Sequence, residues 1–220
     1  MLRYFTAGET HGKCLTVIIE GAPAGFEISL DKINAALSKR QRGYGRGGRM
    51  QIERDSAEIL SGVRGGITLG SPIAMMIKNR DWENWQAVMG TEASNGERVV
   101  EFPRPGHADL AGGMKYDHHD LRNVLERASA RETAARVAAG ALAQQLLEPY
   151  GVTFNSRVVS IGTVTDTADT SAAGFWVRAA ASLVGFGDEA AEKAAMEYID
   201  DIRSRGESCG GVVEIGRAHV

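Results

Sequence analysis

Short apolar runs that favour strands are spread along most of the chain. The β-branched run CLTVIIE, which a Gly/Pro turn follows within residues 14–25, predicts a buried strand. The runs EILSGV and SPIAMMIKN predict two more strands, and RMQIERD alternates in the manner of a strand. Further along, VTFNSRVVSIGTV and GGVVEI predict the last two strands.

Three segments instead carry apolar residues at helical spacing. SLDKINAALSK predicts a helix with Ser29 as its N-cap. Residues 122–151 are Ala-rich and predict one long helix, whose nearly uncharged second half indicates burial on most sides. GDEAAEKAAMEYIDDIRSRGES predicts an amphipathic, exposed helix, and the polar segment 80–100 predicts a long loop with a short helix.

The order of these elements indicates the fold class. Strands and helices are mixed without strict βαβα alternation, which is typical of an α+β fold with antiparallel sheets. We therefore expect the Ala-rich helix to lie at the centre, covered by sheets.

Composition limits the classes of function. The chain has 220 residues, 43% of them hydrophobic and 24% charged, which is ordinary for a globular protein. The net charge of −3 means that any anion site must be a local concentration of Arg and Lys, and it disfavours a general nucleic-acid binder. No apolar run is long enough to span a bilayer. Two cysteines without metal-site spacing exclude a zinc finger, so we expect a reduced, soluble, cytoplasmic protein with no membrane partner.

The segment KRQRGYGRGGRMQIERD, residues 39–55, is rich in arginine and glycine. Its GYGRGG matches GxGxxG, but a charged helix end precedes it and a strand-like run follows, which is the wrong context for a dinucleotide loop. An RNA-binding module that uses residues 40–49 remains an alternative, since interleaved Arg, Gly and Tyr can contact phosphates and stack on bases. A solvated loop is the plainest interpretation. The third interpretation is an arginine clamp, in which the arginines of the segment bind a small polyanionic metabolite.

Two further stretches favour the clamp. FPRPGHADL places Arg104 and His107 in a loop stiffened by Pro and Gly. ERASARET places Arg127 and Arg131 four residues apart at the start of the predicted buried helix, where cations are unfavourable unless an anion lies there. The fold would then form a pocket for a ligand with several acidic groups.

Histidines and acidic residues in loops suggest further chemistry. His11 in GETHG and His107 in RPGHAD are each flanked by glycine, and beside an arginine pocket both are acid–base candidates. YDHHD and GHAD invite a metal interpretation, but no ligand spacing supports it, so we predict no metal.

Four blocks together resemble chorismate synthases. They are GETHGKCLTVIIEGAP, RGYGRGGRM, RPGHADLAGGMKY and RNVLERASARETAARVAAGAL, and they occur in the family's order. The resemblance covers the chain from Leu2 to about Ile215. It implies a β-α-β sandwich with central helices between antiparallel sheets, assembled as a homotetramer. It also implies a shikimate-pathway lyase that uses reduced FMN for an anti 1,4-elimination of phosphate from 5-enolpyruvylshikimate 3-phosphate, giving chorismate.

The resemblance also implies roles for individual residues. His11 and His107 match the two catalytic histidines of the family. The arginines that match substrate-binding positions are Arg40, Arg46, Arg104 and Arg131. Arg40 and Arg46 are also assigned to NADPH in members that reduce their own flavin. Arg127, Ala128 and Ser129 match an FMN-contacting stretch, in which Ala128 replaces one serine.

The family chain is longer than this one. We therefore expect residues 1–215 to form a single chorismate synthase-like domain that is incomplete at its C-terminus, and residues 216–220, GRAHV, to be an unrelated tail. Much of the family's FMN contact surface lies in the part that is missing here. The chain as given is expected to bind FMN poorly and to be inactive.

Overall fold

A computed structural model of the chain describes residues 1–45, 54–92 and 96–219. The chain divides into two compact units. The first contains Met1–Arg40 and the described part of Arg49–Ala143. The second contains the described parts of Gln41–Gly48 and of Gln144–Val220. That residues 1–215 form a single domain stays a prediction.

The first unit contains a four-stranded antiparallel sheet in the order β1-β2-β6-β3. Its strands are β1 (Arg3–Gly8), β2 (Cys14–Glu20), β3 (Ala57–Ser61) and β6 (Ile73–Lys78). A two-stranded hairpin of β4 (Val63–Arg64) and β5 (Ile67–Thr68) accompanies it. The predicted strands at EILSGV and SPIAMMIKN are confirmed, whereas RMQIERD lies mostly outside the described residues.

The sheet buries one face only. In β2, Leu15, Val17 and Ile19 are almost fully buried, whereas Ile18 between them is 44% exposed. The strand predicted for CLTVIIE is confirmed, and it is buried on one of its two faces. Alternation of this kind is typical of an antiparallel sheet with one face on the core.

One helix of the first unit lies between β2 and β3, and the others follow β6. The helices are α1 (Leu30–Arg40), α2 (Gln86–Met89), α3 (Asp109–Tyr116), α4 (Arg122–Ala128) and the first part of α5 (Thr133–Leu147). A 3-10 turn at Arg80–Asn84 precedes α2. The predicted cap of α1 is confirmed, because Oγ of Ser29 accepts a hydrogen bond from the backbone N–H of Lys32.

The long helix predicted for residues 122–151 is interrupted. Ser129 has an extended backbone (φ −71°, ψ 152°), and its side chain accepts a hydrogen bond from the N–H of Arg131. A 3-10 turn at Ala130–Glu132 follows before α5 begins. Serine readily bonds nearby backbone groups and so competes with the helix. Arg127 and Arg131 consequently belong to different elements. The prediction that both lie at the start of one buried helix was therefore wrong.

Helix α3 begins within a stretch expected to be a loop. Only the portion before Asp109 is irregular, and the helix packs against α4 through glycine. A Cβ added to Gly112 would lie 2.4 Å from Cγ1 of Val124, and one on Gly113 would lie 2.5 Å from Cδ2 of Leu121. Glycine at both positions therefore permits the close approach of α3 to α4.

The second unit has a three-stranded antiparallel sheet in the order β8-β7-β9. Its elements are β7 (Val152–Ile161), β8 (Val164–Thr165), β9 (Gly211–His219), α6 (Phe175–Ala181) and α7 (Glu189–Ser204). Val184, Phe186 and Ala195 form its buried cluster. Sequence patterns predicted β7, β9 and α7 but not α6. The backbone of residues 216–219 continues the pairing of β9 with β7.

Within residues 1–45, 54–92 and 96–219, no helix combines sufficient length and apolar character to cross a bilayer.

Candidate functional site

The turn between β1 and β2 is held from two sides. The backbone N–H and the hydroxyl of Thr10 each donate to the carbonyl oxygen of Glu126, both at 2.9 Å. From the end of β6, Nδ2 of the buried Asn79 donates to the carbonyl oxygens of Glu9 (3.0 Å) and Gly12 (2.7 Å). Because both anchors are buried, the turn has a defined position.

This turn presents His11 to a buried carboxylate. Nδ1 of His11 lies 2.8 Å from Oε1 and 2.9 Å from Oε2 of Glu126, and its backbone N–H donates to Oε2 at 2.9 Å. Arg122 donates to Oε1 at 2.9 Å. Burial by itself would raise the pKa of Glu126, but hydrogen bonds and charge from His11, together with the hydrogen bond from Arg122, hold this pKa below its usual value.

An aromatic ring covers His11. The imidazole stacks on Trp85 with ring centroids 3.7 Å apart and an angle of 23° between planes. The guanidinium of Arg98 lies 4.1 Å from the Trp85 ring centroid, within cation–π range. Arg98 has a positive φ of 57°, and its carbonyl accepts a hydrogen bond from Arg122. A strained non-glycine backbone of this kind is often found at functional sites.

Arg104 is fixed by a bidentate ion pair with Asp109. Nε and a terminal nitrogen of Arg104 donate to the two carboxylate oxygens at 2.8 and 2.9 Å, and its backbone N–H donates at 3.0 Å. The hydrogen bonds from Arg104 outweigh burial and lower the pKa of the fully buried Asp109 carboxyl to about 2.

The same ion pair places Arg104 near Glu126 and anchors the His107 loop. The hydrogen bond to Asp109 raises the pKa of Arg104, burial opposes this, and the charges of Asp109 and Glu126 add to the increase. His107 is exposed, and its backbone N–H donates to the carbonyl of Arg104 at 3.3 Å.

A buried aspartate joins two of the predicted substrate-binding arginines. A terminal nitrogen of Arg40 lies 2.7 Å from Oδ2 of Asp55, and Arg131 bonds Oδ1 of the same carboxylate. Nε of Arg131 also donates to Oδ1 of Asn79 at 2.8 Å. Two guanidinium groups thus face one carboxylate, and Nε of Arg40 is buried without a hydrogen-bond partner in the described part of the chain.

Residues 127–129 border the edge strand of the sheet. Arg127 donates to the carbonyl (3.0 Å) and the hydroxyl (2.8 Å) of Thr6 and to the carbonyl of Gly8 (3.5 Å). Its side chain remains 40% exposed, and Ala128 is exposed. Ser129 caps the following 3-10 turn with its hydroxyl.

The sequence-based candidates fall in the first unit wherever the structure describes them. These residues are His11, Arg40, Arg104, His107, Arg127, Ala128, Ser129 and Arg131. Arg46 lies outside the described residues, as do the other residues from 47 to 49 of the 40–49 segment of the RNA-binding alternative. Arg40 itself is 13% exposed and paired with Asp55, which does not favour a contact with RNA.

Four residues at the site were missed by the sequence analysis: Asp55, Asn79, Trp85 and Glu126. Asp55 ends the Arg/Gly segment, and Glu126 lies in the ERASARET stretch that was singled out for its arginines, so both left a weak signal. Asn79 and Trp85 left none, because their partners are distant in sequence. No group of three His, Cys, Asp or Glu side chains in the described ranges could hold a metal ion.

An open cavity of about 650 Å³ lies on another side of the turn. Its lining includes Glu9, Lys13, Cys14, Trp82 and Met89. The candidate arginines and His11 are not among the described residues that line it. The cavity and the arginine cluster are therefore separate features of the first unit.

An α+β protein in which several arginines surround a histidine-bearing turn is suited to a small polyanionic ligand. Comparison with known proteins is more specific, since the model of the chorismate synthase family matches residues 2–220. The chain belongs to the chorismate synthase family, which confirms the resemblance drawn from the four sequence blocks. The family is one of lyases, so the predicted enzyme class is confirmed at this level.

Individual relatives agree with this assignment. A chorismate synthase of Moorella thermoacetica is 58% identical over 219 residues, covering 98% of this chain and 56% of the relative. A chorismate synthase of Aquifex aeolicus is 52% identical over 229 residues, covering 97% of this chain and 56% of the relative. A crystal structure of chorismate synthase superposes with a TM-score of 0.78 at 42% identity, covering 98% of this chain and 58% of that one. The predicted α+β fold class is confirmed, and the chain spans about half the length of the curated relatives it matches.

Proposed function

We propose that the protein is a shikimate-pathway lyase that eliminates phosphate from 5-enolpyruvylshikimate 3-phosphate to form chorismate. Family membership supports this reaction. The observation that carries the proposal for this chain is the Arg40–Asp55–Arg131 cluster, which Asn79 links to the His11 turn. One carboxylate against two guanidinium groups leaves positive charge for an anionic ligand.

The substrate chemistry suits these residues. A phosphate and two carboxylates need several cationic donors, and arginine offers the planar fork that binds such groups in a bidentate manner. Arg104, held by Asp109, and Arg40 are the proposed substrate contacts, together with Arg46. Arg131 is 7% exposed and bonds Asp55 and Asn79, so its proposed contribution is charge at short range, in addition to any direct contact.

The two histidines serve the proton transfers of the elimination. The leaving phosphate is stabilised by a nearby cation or proton donor, and a positioned histidine supplies general acid–base help. His11 is oriented by Glu126, and His107 is carried on the Arg104 loop. These assignments rest on the family resemblance together with the placement of both side chains in the first unit.

The exposed edge formed by Arg127, Ala128 and Ser129 fits one end of FMN. The guanidinium of Arg127 is partly exposed and can meet an anionic group, while the exposed Ala128 leaves room beside it. Reduced FMN, when bound, supplies electron density for cleavage of the allylic C–O bond. NADPH binding by Arg40 and Arg46, homotetramer formation and a cytoplasmic location stay predictions.

Ligand titration with matched variants tests the proposal. The purified chain is titrated with 5-enolpyruvylshikimate 3-phosphate and, separately, with FMN. We expect weak substrate binding that Arg104→Gln reduces at least tenfold, poor FMN binding and no chorismate formation. Arg205→Gln is the control, because Arg205 forms exposed ion pairs in the second unit. Substrate binding unchanged in Arg104→Gln, or sub-micromolar RNA binding that ignores the substrate, would overturn the proposal.

A further inference from the structure

Three hydrogen-bond donors converge on the two carboxylate oxygens of Glu126. They are the backbone N–H and Nδ1 of His11 and a guanidinium N–H of Arg122. The Glu126 side chain is fully buried, whereas that of His11 keeps 15% of its surface exposed. A buried carboxylate that accepts three hydrogen bonds holds the turn that carries the histidine in a defined position.

The arrangement determines which imidazole nitrogen carries the hydrogen. An ionised carboxylate accepts hydrogen bonds and has no proton to donate. With Glu126 ionised, Nδ1 of His11 must carry the hydrogen that lies between them. The other nitrogen, Nε2, then carries no hydrogen in the neutral ring and is the one that can accept a proton.

The surroundings hold the ring in one orientation. Trp85 stacks on one face of the imidazole, and Nε1 of Trp85 donates to Asp81 at 2.9 Å, which fixes the indole. The charged groups around the ring are Glu126 and Arg122 from α4, and Arg98, which lies over the Trp85 ring. Rotation of the imidazole about its χ angles would break both the stack and the hydrogen bond to Glu126.

We propose that Glu126 is a positioning residue for His11. Its carboxylate fixes the Nδ1–H tautomer and the ring plane, so that Nε2 is the nitrogen that gains and releases the proton. The proton-transfer part rests on the proposed function, while the tautomer and its cause are properties of this chain alone.

Nitrogen-15 NMR of the imidazole rings in the 220-residue chain tests the proposal. Spectra are recorded well above the usual imidazole pKa of about 6.5, and the His11 signals are assigned by their loss in His11→Gln. In the wild-type chain we expect the neutral ring as the Nδ1–H tautomer. In Glu126→Gln one oxygen remains for three donors, and the new amide N–H favours an acceptor at Nδ1, so the population should move to Nε2–H.

The control and the contrary outcomes are well defined. Glu132→Gln removes a largely buried carboxylate, with 12% of its side chain exposed, that bonds Thr6 and Arg136, and it should leave His11 as Nδ1–H. An Nε2–H tautomer in the wild-type chain overturns the proposal without any variant, even if Glu126→Gln does not fold. An Nδ1–H tautomer that persists in a folded Glu126→Gln variant also overturns the proposal.

A second wild-type measurement concerns the link between the two residues. Protonation of the Glu126 carboxylate removes the acceptor of the Nδ1 hydrogen bond, so the Nδ1 signal of His11 should change over the pH range in which the carboxyl carbon of Glu126 titrates. An Nδ1 signal that does not change over that range would overturn the proposal. Because no substrate is present, these results are independent of whether the protein makes chorismate, which the ligand titrations address.

Discussion

Nε of Arg131 donates a 2.8 Å hydrogen bond to Oδ1 of Asn79, and this contact joins the arginine cluster to the histidine turn. The amide of Asn79 donates in the other direction to two carbonyl oxygens of that turn, on Glu9 and Gly12. One buried side chain therefore sets the position of His11 relative to Asp55 and its two arginines. Loss of Asn79 should affect both parts of the site.

The first prediction concerns Asn79→Ala. The substitution removes the Asn79 donor from the carbonyl oxygen of the buried Gly12 and the acceptor from one guanidinium N–H of Arg131, and an unsatisfied buried group costs about 1–3 kcal/mol. We expect the free energy of unfolding, measured with urea, to fall by roughly 2–4 kcal/mol, since several groups are affected. Asn84→Ala is the control, because Asn84 bonds Asp81 at the surface, and it should change stability by less than about 0.5 kcal/mol. Equal effects of the two variants would contradict the proposed role.

The second prediction concerns Arg131. Its guanidinium contacts Asp55, Asn79 and the carbonyl oxygen of Lys78 at once, and an ammonium cannot reproduce this planar arrangement. Arg131→Met removes one of the two guanidinium groups that bond the buried Asp55 carboxylate and should destabilise the chain by roughly 3–5 kcal/mol. Arg131→Lys should recover only part of this loss in urea unfolding. Full recovery by lysine would mean that charge alone matters at this position.

Both variants test contacts that the sequence could not reveal. Arginines in three stretches and glycine-flanked histidines predicted an anion site, because residue type and loop context carry that information. The residues that hold these side chains in place could not be predicted in this way, because they are distant in sequence. Glu126 lies 115 positions from His11, and Asp55 lies 76 positions from Arg131. Choice among the many acidic residues of the chain is decided by tertiary packing.

The fold shows the same division between local and distant information. Strands β2, β3, β6, β7 and β9 and helix α1 were predicted, because their apolar spacing and capping residues are local signals, whereas β1 was not. The break at Ser129 was not, because alanine-rich sequence on both sides favours a continuous helix. There the hydroxyl-capped turn allows Arg131 to contact Asp55 and Asn79, so tertiary contacts prevail over local propensity.

The third prediction compares two helical glycines. A Cβ on Gly112 would lie 2.4 Å from Cγ1 of Val124, so Gly112→Ala must separate α3 from α4 and should destabilise the chain by about 1–3 kcal/mol. Gly140 in α5 has open space around its Cβ position, so Gly140→Ala should stabilise by about 0.5–1 kcal/mol. Thermal unfolding of the two variants provides the comparison. A change in stability of the same sign in both variants would mean that the contact between α3 and α4 is not tight.

The fourth prediction concerns acid unfolding. Arg104 lowers the pKa of Asp109 to about 2, below the unfolded value of about 3.9. A lowered folded-state pKa contributes stability that is present above about pH 4 and is lost as the pH falls towards 2. Unfolding free energy should therefore decrease across this window by about 1 kcal/mol more in the wild-type chain than in Asp109→Asn, since Arg104 is partly exposed to solvent. Parallel pH profiles of the two proteins would show that the ion pair has no such effect.

The last prediction concerns His107 and turnover in a full-length version of the protein. Its side chain is exposed, and its backbone N–H donates to the carbonyl of Arg104, a bond that alanine keeps, so His107→Ala should leave the fold intact. If the imidazole supplies general acid–base help, kcat for phosphate release should fall roughly 10²–10⁴-fold while KM changes little. His119→Ala removes another exposed imidazole and should keep wild-type turnover. A His107→Ala enzyme within threefold of wild-type kcat would remove His107 from the mechanism and leave His11, held by Glu126, as the histidine that transfers the proton.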